Sequence, residues 1–262
     1  MIPSIDGASI QQHKSYTYFH DLQETKQRVV VGIDEAGRGP VIGPMVYGAA
    51  FVPIAEADAL VQTGFADSKT LTAEVRERLV ERIMEEKRVG WTVGVLSARD
   101  ISAAMLAPAP TNLNAQALTA TLDLLHAIAA KHELVEVYVD TLGPPSQHQA
   151  KLARVFPQAQ ITVSKKADSI WPIVGAASIC AKVTRDAVLA AMPHDGDWGS
   201  GYPSDPRSSD WLKQHRDPVF GWTPDVRFSW QTAALEGVDW EKDDPSIKTP
   251  QPLYTTVSLD DL

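Results

Sequence analysis

Two adjacent carboxylates, Asp34 and Glu35, close the run Val29-Val30-Val31-Gly32-Ile33 and lead straight into Gly37-Arg38-Gly39-Pro40. Acids at the end of a strand suit a hard divalent cation, and glycines beside them let a polymer backbone come close. A second strand-like run, Val137-Tyr138-Val139, ends on Asp140, and a fourth acid, Asp168, stands just ahead of Pro172. If these ends share one sheet edge, their carboxylates converge and repel one another until Mg²⁺ or Mn²⁺ neutralises them in an oxygen cage. Two such ions about 4 Å apart clamp an in-line phosphoryl displacement. Taken singly, each acid has a plainer use: a strand-end Asp is a common turn residue, and Asp168 is well placed to cap a helix.

The basic residues that could accompany such a site are Arg38, Lys69, Lys165, Lys166, Lys182 and Arg185. Lys182 and Arg185 are three apart and share a helix face, and with Arg38 the set would make a phosphate track; singly, each is an ordinary solvated cation. Tyr202, between glycine and proline in Gly199-Ser200-Gly201-Tyr202-Pro203-Ser204-Asp205-Pro206, is the aromatic most exposed by its turn context.

Other chemistries fit less well. Gly37-Arg38-Gly39-Pro40-Val41-Ile42-Gly43 misses the dinucleotide fingerprint by one residue and precedes a strand, not a helix. No histidine pair has helical metal spacing, and the one cysteine, Cys180, sits in an apolar helix. Ser200 lacks the nucleophile-elbow pattern.

Strands and helices alternate along the chain, which predicts an α/β fold. Strands are expected at 28–34, 44–53, 91–97, 134–140 and 160–164, the first two as an antiparallel pair. Helices are expected at 73–87 (capped by Thr72), 112–131, 147–156, 172–191, 210–215 and 229–236. The small residues Gly175, Ala176, Ala177 and Ser178 allow the helix after Pro172 to pack closely. Residues 1–27 are polar and aperiodic and read as a flexible arm, 28–236 as the catalytic body with a C-terminal helical part, and 237–262 as an acidic, proline-interrupted tail, partly disordered.

The net charge of −9 over 262 residues argues against a generic nucleic-acid coat. From Glu236 onward, however, seven acids face two lysines, so a body with a local basic groove is compatible with that total. A hydrophobic content of 44% supports a sizeable core. No run of about 18 apolar residues predicts a membrane span, and the N-terminus lacks signal-peptide character.

Taken together, Gly32-Ile33-Asp34-Glu35-Ala36-Gly37-Arg38-Gly39-Pro40, Asp67-Ser68-Lys69-Thr70, Tyr138-Val139-Asp140-Thr141, Lys166-Ala167-Asp168, Ala176–Lys182, Gly199–Pro206, Phe220-Gly221 and Arg227-Phe228-Ser229-Trp230 resemble type 2 ribonuclease H in its eukaryotic catalytic-subunit form. The resemblance spans roughly residues 28 to 236. It implies a ribonuclease H-like mixed sheet flanked by helices and a two-metal endonuclease, with Asp34, Glu35, Asp140 and Asp168 as ligands of Mg²⁺ or Mn²⁺. It further implies that Gly37, Arg38 and Gly39 sense a ribose 2′-hydroxyl, that Tyr202 stacks at an RNA–DNA junction, and that Lys69, Lys182 and Arg185 hold phosphates. The implied substrates are RNA/DNA hybrids and duplex DNA carrying single ribonucleotides, cut 5′ of the ribonucleotide to leave 3′-hydroxyl and 5′-phosphate ends. The implied setting is nuclear, in a heterotrimer with two non-catalytic subunits. The competing expectation is a catalytically silent scaffold protein that binds hybrids without cutting them; the intact set of acids weighs against it.

Overall fold

The β-branched run forms the strand β2 (Arg28–Ala36), and its neighbours build one mixed sheet around it. The computed structural model describes residues 2–63, 73–85, 88–141 and 143–233. Beside β2 the other strands are β1 (Tyr16–His20), β3 (Met45–Pro53), β4 (Gly90–Leu96), β5 (Glu133–Asp140) and β6 (Gln160–Ser164), in the spatial order β1-β4-β3-β2-β5-β6. β1, β4, β3 and β2 pair antiparallel, and β2, β5 and β6 run parallel. The antiparallel β2–β3 pair agrees with the expectation from their short connection. The helices are α1 (Gly7–Gln11), α2 (Ala73–Glu85), α3 (Ala98–Leu106), α4 (Leu113–Ala129), α5 (Pro145–Val155), α6 (Pro172–Ala191) and α7 (Pro206–Gln214).

Alternation along β2 divides the core in two. Val29, Val31 and Ile33 pack with Leu124, Leu125 and Ile128 of α4, while Val30 packs on the other face with Val174, Ala177 and Ala181 of α6. α6 lies almost on the sheet. A Cβ added to Gly32 would stand 2.4 Å from the Ile173 carbonyl, and one on Gly48 would stand 2.6 Å from the Ala177 carbonyl. The small residues of α6 serve the close packing their composition suggests. Pro172 sits in the first turn of α6, where its missing N–H is harmless.

The N-terminal expectation is corrected here. Over the described residues 2–27 of the expected arm (1–27) the chain is not loose: Asp6 caps α1, and β1 adds to the sheet edge through β4. The signal is weak because α1 is five residues long and β1 is a five-residue edge strand, mostly half-buried, too short to show a clear period. α3, capped by Ser97, is a helix beyond those expected, and it follows β4 without a break in the pattern. α7 begins at Pro206, capped by Asp205, four residues ahead of the helix expected at 210–215. The helix expected at 229–236 is absent over 229–233, which form turns. Lys69 with its Asp67–Thr70 loop, the Thr72 cap and the tail at 237–262 lie outside the described residues.

Gly32→Ala should destabilise the protein by about 1–3 kcal/mol. The corresponding fall in melting temperature is roughly 2–4 °C per kcal/mol for a chain of this size, to be read by thermal denaturation.

Candidate active site

The parallel register brings the acids together. Ile33 lies opposite Val139 in β2 and β5, so the next positions, Asp34 and Asp140, stand side by side at the same sheet edge. Asp34, Glu35 and Asp140 each offer a carboxylate oxygen within 4.8 Å of the others. Asp34 is buried on the α6 side and is hydrogen-bonded by the Ser178 hydroxyl and by the Glu35 amide at 2.7 Å. Glu35, one residue on, points to the opposite face. There it shares a cleft of about 440 Å³ with Arg38, Tyr47, Asn114, Asp140 and His148.

Asp168 follows β6 on a tight turn that begins at Lys166, whose φ is +57°. The Ala167 amide donates to Asp140 at 2.7 Å, tying this turn to the second acid. Asp168 is buried, and its charge bears on Asp34. Its oxygens do not join the 4.8 Å group formed by the other three. The expected fourth ligand is thus adjacent to the cluster without being part of that group.

Crowded negative charge shows in the protonation equilibria. Burial, with the charges of Asp140 and Asp168, pushes Asp34 up to about 7 against the pull of Ser178 and the Glu35 amide. Burial and the charges of Asp34 and Asp140 push Glu35 up to about 8, against the pull of Arg38. Three hard oxygen donors that resist being charged together fit a divalent cation such as Mg²⁺ or Mn²⁺. No histidine or cysteine joins a metal-binding group among the described residues.

The glycine loop runs from the end of β2 to β3, and its carbonyls are captured from beneath. Arg227, fully buried, donates to the carbonyls of Gly37 at 2.6 Å, Arg38 at 2.9 Å and Gly43 at 3.0 Å. The Trp230 indole N–H donates to the Gly39 carbonyl at 3.1 Å. Gly37 has φ +73°, and a Cβ there would strike the Arg185 guanidinium at 2.1 Å. The Arg38 side chain turns toward the cleft, bonded to the Tyr47 hydroxyl at 3.3 Å and to Asn114. The Gly199–Pro206 loop docks beside it: the Gly201 carbonyl accepts from the Val41 amide at 2.8 Å and the Ile42 amide at 3.3 Å. This docking places Tyr202, 41% exposed, with its ring 3.2 Å from where a Gly39 Cβ would stand.

Several of the candidate residues therefore meet: the three acids at one edge, and Gly37, Arg38, Gly39 and Tyr202 next to them. Arg185 takes a different place from the one expected. It is 7% exposed and bonded to the Pro44 carbonyl, so it props the loop from inside and does not line an open phosphate track. Lys182, one turn earlier on α6, is half-buried. Arg227 and Trp230 belong to a motif of the resemblance, but nothing in their local pattern assigns them a role. Ser178 likewise falls in a motif of the resemblance with no role of its own assigned, and Tyr47 and Asn114 carry no sequence signal beyond their residue type.

A family model for ribonuclease HII matches residues 31–233. The chain belongs to the ribonuclease HII family. It is 44% identical over 267 residues to the A subunit of ribonuclease H2 from Schizosaccharomyces pombe, covering 92% of this chain and 81% of that protein. It is also 44% identical to the human counterpart, over 82% of this chain and 77% of that one. Among solved structures, ribonuclease H2 from Pyrococcus horikoshii superposes with a TM-score of 0.68 at 32% identity, over 78% of this chain and 95% of that one. The mixed sheet with flanking helices is the ribonuclease H-like fold, as expected. The enzyme is a ribonuclease H acting on RNA/DNA, its family is dependent on divalent metal, and the cluster of Asp34, Glu35 and Asp140 fits metal binding.

Because Asp34 and Glu35 titrate higher in the folded enzyme than in the unfolded chain, their contribution is fully favourable below about pH 4 and is lost as pH rises toward 7–8. In EDTA, the melting temperature of the wild type should fall between pH 5 and 8 more steeply than that of Asp34→Asn. Adding Mg²⁺ or Mn²⁺ should remove most of the difference, because the bound ion neutralises the charge that the fold otherwise has to bear.

Proposed function

We propose that this ribonuclease H cleaves RNA within RNA/DNA hybrids and also cuts on the 5′ side of a single ribonucleotide embedded in duplex DNA, leaving 3′-hydroxyl and 5′-phosphate ends. The observation that carries the single-ribonucleotide part is the capture of the loop carbonyls. With the carbonyls of Gly37, Arg38, Gly39 and Gly43 engaged by Arg227 and Trp230, and the amides of Val41, Ile42 and Gly43 bonded to the Gly201 and Asp225 carbonyls, the groups left to face a ligand are the amides of Gly37, Arg38 and Gly39 and the Arg38 side chain. A rigid row of such groups beside the acids suits a ribose 2′-hydroxyl, the one group that separates RNA from DNA at a given nucleotide. Tyr202 supplies an exposed ring for the adjoining sugar or base.

Asp34, Glu35, Asp140 and Asp168 would hold the metal. Bound there, a pair of Mg²⁺ or Mn²⁺ ions supplies activation of the attacking water and neutralisation of the leaving 3′-oxygen. The protein's own part is placement. The Ser178 hydroxyl and the Glu35 amide fix the Asp34 carboxylate, the Ala167 amide fixes Asp140, and the glycine loop sets the scissile phosphate relative to both. Water attacks phosphorus and the bond to the 3′-oxygen breaks in line with it, so the 5′-phosphate stays on the ribonucleotide.

The fission-yeast and human relatives are each named for one lettered component of ribonuclease H2, which implies an assembly. By that analogy the chain works with non-catalytic partners, two in number on our reading. Gel filtration and native mass measurement of the complex purified from its source would test the composition.

A duplex with one ribonucleotide should be cut once, 5′ of that nucleotide, in Mg²⁺ or Mn²⁺ and not in EDTA, while an all-DNA duplex stays intact. Asp34→Ala should lower this rate by on the order of 10³-fold or more while circular dichroism remains native. A folded wild-type enzyme, assembled with its partners, that bound hybrid and cut nothing in either metal would establish a silent scaffold instead.

Tyr202→Ala should reduce kcat/KM on the single-ribonucleotide duplex by about tenfold or more, the worth of one aromatic stack, and reduce it less on a uniform hybrid. Equal losses on the two substrates would remove Tyr202 from junction recognition.

A further inference from the structure

The N-terminal segment is strapped to the body from several sides. The buried Ser4 hydroxyl meets that of Thr184 on α6 at 2.8 Å. The Tyr16 hydroxyl donates to the Ser4 carbonyl at 3.0 Å, and Ser15 donates to Asp100 through both its amide and its hydroxyl, at 2.8 and 2.7 Å. Between these anchors the chain turns through His13, which has φ +51°, and its Nδ1 donates to the Asp225 carboxylate at 2.8 Å. The Asp225 side chain is 5% exposed. Its other hydrogen-bond neighbour is the Thr223 hydroxyl at 3.4 Å.

Asp225 is the near end of the segment that grips the glycine loop. Its carbonyl accepts from the Gly43 amide at 2.8 Å, Val226 bridges to Ile42, and the Arg227 amide donates to the Val41 carbonyl at 2.8 Å. Gly43 is thus pinned at its amide by Asp225 and at its carbonyl by Arg227. The same Arg227 guanidinium reaches on to Arg38 and Gly37.

We infer that His13 is a positioning residue for the ribose-sensing loop: the N-terminal segment, through the His13–Asp225 contact, sets the alignment of residues 223–230 and so of Gly37–Gly43. Asp225 is one of the few carboxylates the fold buries, and a buried carboxylate deprived of its main donor either seeks water or shifts. Either response moves the backbone that holds Gly43. The effect reaches the loop without touching the metal-binding acids, so it falls on discrimination more than on the chemical step. This inference rests on the proposed ribose-sensing role of the loop.

The test compares wild type, His13→Ala and His13→Asn in the full-length enzyme with its partners. Asparagine places an N–H near the position of the imidazole Nδ1 and tolerates the left-handed backbone at this site; alanine supplies no donor. In His13→Ala, hydrogen exchange at the amides of Val41, Ile42 and Gly43, which donate to the Gly201 and Asp225 carbonyls, should quicken by about tenfold, the worth of one charge-assisted hydrogen bond, with the amides of α4 unchanged. The same variant should lose about tenfold in kcat/KM on the single-ribonucleotide duplex and less than about threefold on a uniform hybrid. His13→Asn should recover both. Unchanged exchange at Val41, Ile42 and Gly43 in His13→Ala would overturn the inference, as would a parallel loss on the two substrates or a failure of asparagine to rescue. If the wild type proves unable to cut at a single ribonucleotide, the ribose-sensing role of the loop fails by that result, and the exchange experiment still decides whether His13 holds the loop in place.

Discussion

Like charges crowded at the end of a sheet repel, and much of this fold serves to hold them there. Asp34, Glu35 and Asp140 bring their oxygens within 4.8 Å of one another, and both Asp34 and Glu35 resist ionisation, through burial and this crowding together. Parallel pairing of β2 with β5 fixes the spacing. α6, pressed against the sheet through Gly32 and Gly48, carries the Ser178 hydroxyl to Asp34. The turn after β6 brings Asp168 and the Ala167 amide to the same edge. An enzyme built this way stores unfavourable electrostatics in its acidic cluster, which the binding of metal relieves.

The second organising device is a buried cation facing carbonyls and not a carboxylate. Among the described residues no carboxylate forms an ion pair with Arg227, and burial with the nearby charge of Arg185 pulls it down to about 9. It stays charged at neutral pH and spends its donors on the glycine loop. A planar fork with five N–H groups can join three carbonyls at fixed angles, which a lysine cannot do. The loop is therefore held from the inside, while its outer side stays open beside Tyr202. α6 serves both the acids, through Ser178, and the loop, through Arg185, while residues 223–230 add a second brace to the loop.

Much of this is legible in the sequence where local pattern and tertiary role agree. The Val29–Ile33 run, long and β-branched, is a strand in any context that buries it. Pro172 and the small residues after it announce a closely packed helix, and α6 is that helix. Legibility fails where an element is short or polar. β1 and α1 give no usable period, and residues 229–233 turn where a helix is expected, since Trp230 leaves helical geometry to reach the Gly39 carbonyl. Arg185 misleads for a related reason: helical spacing puts it on a face with Lys182, but spacing cannot say that the face lies against Gly37.

The sequence by itself determined the kind of chemistry: acids at strand ends, a glycine turn with one arginine, a tyrosine in a turn-rich loop, and the ordered motifs that resemble one family. Residue types and local spacing suffice for that, because ligand hardness and backbone freedom belong to the residues themselves. Only the tertiary structure decided which acids meet, which arginines work from below the loop, and that the N-terminal segment reaches Asp225. Those outcomes depend on contacts between residues as much as 212 positions apart. No local pattern encodes such contacts, because they arise from how the sheet orders its strands and how closely α6 lies upon it.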